Sequence, residues 1–267
     1  MNLNDLYKTM FSFLNNIPQV TKNILILNVL FFILKYFFQS KGIDLDALLG
    51  AHYINSPLFQ PYQVVTHFFM HADIMHIFFN MWLFVMLGGF LERLWGPKRF
   101  FIFYIASALG AFALYNFIGF FQIYELKSQL SSVIDIDYVN HILRNSSSSD
   151  VINELNGYVR TLQIEQSSFQ QFEEYISLSL TPMIGASGAV FGVMAAFAIL
   201  FPNTEFMLYF AIPVKAKYLV SAYFVFELYQ SFNAPGDNVA HLAHVGGAIV
   251  GAILILIWRK NDKKNFY

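Results

Sequence analysis

Residues 185–201 read Gly-Ala-Ser-Gly-Ala-Val-Phe-Gly-Val-Met-Ala-Ala-Phe-Ala-Ile-Leu-Phe. No charge interrupts the run, and Ser187 stands near its start among small residues. Such a stretch needs a protein core or lipid around it, and the rest of the chain decides for lipid. Of 267 residues, 57% are hydrophobic and only 12% charged, where a soluble domain carries about 25% charged. Mean hydropathy is +0.50, and Phe alone occurs 31 times. A net charge of −1 offers no electrostatic footprint for nucleic acid. With 0 cysteines, disulfides, thiolate catalysis and Cys-ligated zinc are excluded together.

Working outward, six apolar segments appear at 20–38, 75–92, 100–121, 186–201, 216–232 and 239–258. A hydrocarbon core of about 30 Å takes about 20 helical residues to cross, fewer where a span is short or re-entrant. The chain therefore reads as an all-α polytopic membrane protein with six transmembrane helices in a core of 20–258. The first run has no small-residue cleavage site behind it and further spans follow, so it is a retained span and no signal peptide. Residues 1–19 form an N-terminal segment and 259–267 a basic tail. Residues 39–74 are too apolar for a solvated loop and suit an interfacial one. Residues 122–183, with Ser146–Ser149 as a flexible point, read as an outer insertion of short amphipathic helices between helices three and four. Lys and Arg favour one side of the bilayer by eleven to four when the N-terminus is placed inside, so both termini are expected to be cytoplasmic. The absence of an organellar targeting segment suggests a bacterial cytoplasmic membrane.

Polar residues inside spans are functional candidates by default. Counting back from the inner ends of spans four, six and two reaches Ser187, His244 and His76 after about fifteen or sixteen residues. At 1.5 Å per residue each lies roughly 22 Å from the inner face, a little below the outer one. Asn80 follows His76 one turn deeper on the same face. Gly188–Gly192 and Gly247–Gly251 are GxxxG pairs, which let helix backbones approach closely in lipid. Packing through them would bring Ser187 within hydrogen-bond reach of His244, as a base-activated nucleophile requires. His241, one turn above, competes as the base. The glycines at +3 and +7 select His244 and leave His241 as a hydrogen-bonding or cavity-lining neighbour. Lys35 reads as a snorkelling side chain. Glu227 reads as a carboxyl that reaches the interface or stays neutral, or else lines a gate. The 235–237 turn is a candidate mobile cap. His67, His71 and His76 cluster without HExxH or a matching acid other than Asp73, so no metal site and no cofactor is expected. His71 supports the first loop.

Gly185-Ala-Ser187-Gly188, Ala243-His244-Val-Gly-Gly247 and His71…His76-Ile-Phe-Phe-Asn80 together resemble the rhomboid family of intramembrane serine proteases. The resemblance implies a Ser187–His244 dyad with no acid partner. It implies an oxyanion hole from His76, Asn80 and the Ser187 N–H, with Gly185 in the serine motif. Phe191, where many members carry Tyr, would stack on the base. Gly88-Gly89-Phe-Leu-Glu92-Arg93 resembles a motif in which Glu92 is structural. Family members often carry Trp-Arg nine residues before the position of His71; here the pair is Tyr62-Gln63. The expected activity is endopeptidase cleavage of transmembrane protein substrates that enter between spans two and five. The bilayer and a contact made by 122–183 outside it are further partners. The alternatives are a non-catalytic rhomboid-like factor that binds and routes membrane proteins, which would lack the serine or histidine, and a small transporter, which inverted repeats would mark.

Overall fold

The computed structural model describes residues 14–146, 150–162, 164–208, 212–233 and 240–261. The proposed cap at 235–237, most of the serine run and most of the two terminal segments lie outside them. A helix occupies each of the six apolar segments. α1 is Gln19–Gln39, α2 is Leu45–Leu49 and α3 is Gln63–Thr66. α4, Ile74–Leu83, runs through a π-helical turn at Phe84–Gly88 into α5, Gly89–Trp95. α6 is Pro97–Leu130. α7, α8 and α9 are Ile136–Asn145, Val151–Thr161 and Gln166–Leu180. α10 is Ser187–Leu200, followed by the antiparallel strands β1 (Glu205–Leu208) and β2 (Ile212–Lys215). α11 is Ala216–Asn233 and α12 is His241–Asn261.

Among the described residues, four helices are long and apolar enough to cross a membrane: Gln19–Gln39, Ile74–Trp95, Pro97–Leu130 and His241–Asn261. α10 has 14 residues and rises only about 21 Å. It can be short because ten of its residues are buried among its neighbours, so little of it needs to match the lipid. α6 departs from the sequence reading. It has 34 residues, or about 51 Å, and runs straight past position 121. Its last turns (Ile123, Leu126, Leu130) share a core with Val139 and Ile142 of α7, Leu155 of α8 and Tyr175 of α9.

The centre is built on glycine. A Cβ on Gly247 would fall 1.8 Å from the Gly188 carbonyl oxygen, and one on Gly251 would fall 2.7 Å from Gly192 Cα. α12 and α10 therefore touch backbone to backbone. α6 closes the third side: a Cβ on Gly188 would meet Ala111 Cβ at 2.4 Å, and one on Gly192 would meet Ser107 Oγ at 2.4 Å. The expected GxxxG packing is present, with α6 as a partner the motif alone does not name.

Glu92 ties α5 to the start of α1. One carboxylate oxygen accepts from Val20 N (2.8 Å); the other accepts from Thr21 N and Thr21 Oγ1 (both 2.7 Å). Pro18 precedes the helix without a side-chain cap, so an acid from another helix supplies the acceptors that helix N-termini need. Glu92→Ala orphans three donors. Hydrogen bonds to charged groups contribute about 1.5–3 kcal/mol each, so it is expected to destabilise by at least about 3 kcal/mol and Glu92→Gln by less. Thermal unfolding in detergent measures this; equal midpoints for parent and Glu92→Ala would refute the capping role.

Candidate active site

Ser187 opens α10, where the first N–H groups have no intrahelical acceptor. His244 Nε2 lies 2.7 Å from Ser187 Oγ. The Phe191 ring stacks on the His244 imidazole at 4.4 Å and 6°, one turn below the serine on the same helix. The packed glycines decide this meeting: Gly188 follows Ser187 directly, and Gly247 lies three residues after His244. A hydroxyl bonded to an imidazole nitrogen is the arrangement that generates a nucleophile.

His76 and Asn80 face the same cavity, a cleft of about 690 Å³ lined also by Asp46, Gly185, Ser187, Tyr223 and His244. Asp73 caps α4, its Oδ1 accepting from Met75 N (2.8 Å) and His76 N (2.9 Å). The Ala72 N–H donates to His76 Nδ1 (3.4 Å), which leaves the proton of a neutral ring on Nε2. That nitrogen points at Gly185, where a Cβ would stand 2.9 Å from His76 Nε2 and 3.3 Å from Ser187 Oγ. Gly185 has φ +124°, a conformation that only glycine adopts freely. It keeps the gap between histidine and serine open. Asn80 Nδ2 gives one N–H to the His76 carbonyl (2.9 Å). An amide nitrogen has two donors, so the second remains for the cavity.

The first loop holds this wall. Ala51 and Met183 exchange two backbone hydrogen bonds of 2.8 Å, and Gly185 N donates to the His67 carbonyl (3.0 Å). Gln63, one of the two residues where the family motif differs, is buried. Its Oε1 accepts from His52 N and Gln60 N, and its Nε2 donates to the Leu48 and Leu58 carbonyls. It serves as the loop's hub by hydrogen bonding. Burial lowers His67 to about 4. Burial first, then His76, lowers His71 to about 3. Both are therefore neutral near pH 7, and the His71 ring sits edge-on to His76 at 5.0 Å.

Two side chains depart from their expected places. Lys35 does not snorkel. It is buried, pairs with Asp46 (2.5 Å) and donates to the His71 and Ala72 carbonyls at 2.9 and 2.7 Å. It thus grips the His71–Ala72 peptide, whose N–H donates to His76 Nδ1. Glu227 neither reaches the interface nor lines the cleft. At 2% exposure it accepts from His244 Nδ1 (2.8 Å) and His241 Nδ1 (2.6 Å). The expected histidine without an acidic neighbour is not found. Counted inward from the outer ends of their spans, at 232 and 239, Glu227 and His244 both lie five residues in, a match in depth that signals this meeting. His241 bonds the carboxylate, and His244 faces the serine.

A profile of the Rhomboid domain matches residues 58–122 and 161–261, more than half of the chain. The chain belongs to the rhomboid family. The unmatched stretch between the two parts, 123–160, holds the end of α6 with α7 and α8. Among relatives, an uncharacterised mitochondrial rhomboid protein of Schizosaccharomyces pombe is 41% identical over 31% of this chain and 23% of its own length. The mitochondrial RHOMBOID-like protein 12 of Arabidopsis thaliana is 27% identical over 76% of this chain and 47% of its own. The mitochondrial Rhomboid protein 1 of Saccharomyces cerevisiae is 35% identical over 27% and 21%. The chain thus spans between about a fifth and a half of these curated rhomboids. All three are mitochondrial by name, which overturns the expectation of a bacterial cytoplasmic membrane.

Proposed function

We propose that this rhomboid is an intramembrane serine endopeptidase with Ser187 as nucleophile and His244 as base. The observation that carries the proposal is the 2.7 Å contact between Ser187 Oγ and His244 Nε2, in a cleft that also receives His76 and Asn80. The proposed core has six crossings, α10 and α11 being the two that length and hydropathy alone do not select. Residues 122–183, with α7, α8 and α9, form an outer insertion that contacts partners beyond the membrane.

The chemistry is acyl transfer to water. As Ser187 Oγ bonds to the substrate carbonyl carbon, its proton passes to His244 Nε2. His76 Nε2–H, the free Asn80 N–H and the Ser187 N–H receive the developing oxyanion. The C–N bond breaks as His244 returns the proton to the leaving amine, and water repeats the cycle on the acyl-enzyme. A transmembrane substrate segment reaches the cleft between α4 and α11, whose residues Phe79 and Tyr223 both line it. The relatives' names make a mitochondrial membrane the proposed location, which fractionation of the tagged chain reads directly.

The full chain in detergent, given a fluorophosphonate probe and a single-span test substrate, is expected to label and cleave. Ser187→Ala should do neither. Equal cleavage by Ser187→Ala would reject the proposal in favour of a binding and routing role.

A further inference from the structure

The Ser187–His244 pair does not stand alone. Glu227, on α11, places one oxygen, Oε2, 2.8 Å from His244 Nδ1 and 2.6 Å from His241 Nδ1. Burying a carboxylate without donors is costly; here two imidazoles supply them. Both distances lie near the range of charge-assisted N–H···O⁻ bonds. The same three residues are also chemically able to ligate a metal. However, tetrahedral zinc with bonds of about 2.0–2.1 Å sets its ligands roughly 3.3 Å apart, wider than either contact, so the spacing fits protons and not an ion.

The consequence is a fixed tautomer. A carboxylate only accepts hydrogen bonds, so His244 carries its proton on Nδ1 and turns the lone pair of Nε2 toward Ser187 Oγ. Without that acceptor the ring is free to hold its proton on Nε2, where it is no base for the serine. We infer that Glu227 is a positioning residue, the third member of a Ser187–His244–Glu227 chain. It selects the His244 tautomer, fixes the ring against Phe191 and stabilises the imidazolium formed on proton transfer. His241 holds the same oxygen in place from its other side. The inference rests on the proposed Ser187 chemistry.

The test uses the full chain in detergent, labelled with ¹⁵N-histidine, as parent, Glu227→Gln and Glu227→Asp. Replacing the carboxylate of such a chain by an amide costs up to about 10⁴-fold. Glu227→Gln is expected to slow fluorophosphonate labelling of Ser187 by at least about tenfold and to populate the Nε2–H tautomer of His244. Glu227→Asp, charged but one methylene shorter, should recover part of both. A purely structural role would lower the unfolding midpoint without moving the tautomer. If the parent labels and Glu227→Gln labels equally fast with His244 still Nδ1-protonated, the inference is overturned and the protease reading stands. Loss of parental labelling on chelation would also overturn it. If the parent labels no more than Ser187→Ala, the protease reading fails and takes the inference with it.

Discussion

Gly247→Ala is expected to disrupt this protein more than any other single added methyl group on the α10–α12 contact. The new Cβ would lie 1.8 Å from the Gly188 carbonyl oxygen. That obstacle is backbone and cannot rotate away, so α12 and α10 must separate by more than 1 Å along a seam that α6 also closes. Overpacking a core costs about 1–3 kcal/mol and occasionally more; a backbone clash in a three-helix seam belongs at the upper end or beyond. Because Gly247 is three residues from His244 and Gly188 adjoins Ser187, the same separation stretches the 2.7 Å contact between them. Both the unfolding midpoint and Ser187 labelling should fall. Gly157→Ala is the control. Gly157 sits inside α8 with nothing within 4 Å of its new Cβ, where Ala is favoured over Gly by about 0.5–1 kcal/mol. It should raise stability slightly. A Gly247→Ala protein with parental midpoint and labelling would show that α10 and α12 are not in backbone contact.

Asn80→Ala is expected to lower turnover of the test substrate by about 10²–10³-fold, or about 2.7–4 kcal/mol, the usual cost of losing one oxyanion donor. The amide is well placed for that size of effect because its rotamer is anchored: one N–H is spent on the His76 carbonyl and the other faces the cleft. The loss should appear in kcat with KM nearly unchanged, because the interaction forms with the tetrahedral oxyanion and not with the planar carbonyl. The fold should persist, since the bond given up is local to α4. His76→Ala should act in the same direction, and the double variant should lose less than the two effects combined if both donors serve one oxyanion. A rise in KM at constant kcat would assign Asn80 to substrate binding instead.

Much of this was open to inspection in the chain. Ser187, His244, His76 and Asn80 are polar residues in apolar helices, and helical rise alone puts them near one depth. The glycines at Gly188, Gly192, Gly247 and Gly251 announce close helices because any side chain there would hold them apart. Other features depend on contacts between distant residues. Glu92 reads as one more charge at a helix end until the bare N–H groups at Val20 and Thr21 are seen beside it. Lys35 resembles an interfacial lysine until Asp46 and the carbonyls of His71 and Ala72 close around it. Hydropathy falls near 121, yet α6 continues beyond it because α7, α8 and α9 supply a second core for its last turns.

The sequence by itself therefore determined the membrane setting, the apolar helical segments, the family and the residues of the candidate site, since each follows from local composition, spacing and motif. Only the tertiary structure decided which nitrogen of His244 meets Ser187, what holds the other, and how Glu227 is satisfied. Those are matters of orientation between helices. A hydrogen bond is made or lost over less than 1 Å and a few tens of degrees, whereas periodicity locates a side chain only to a face and a turn.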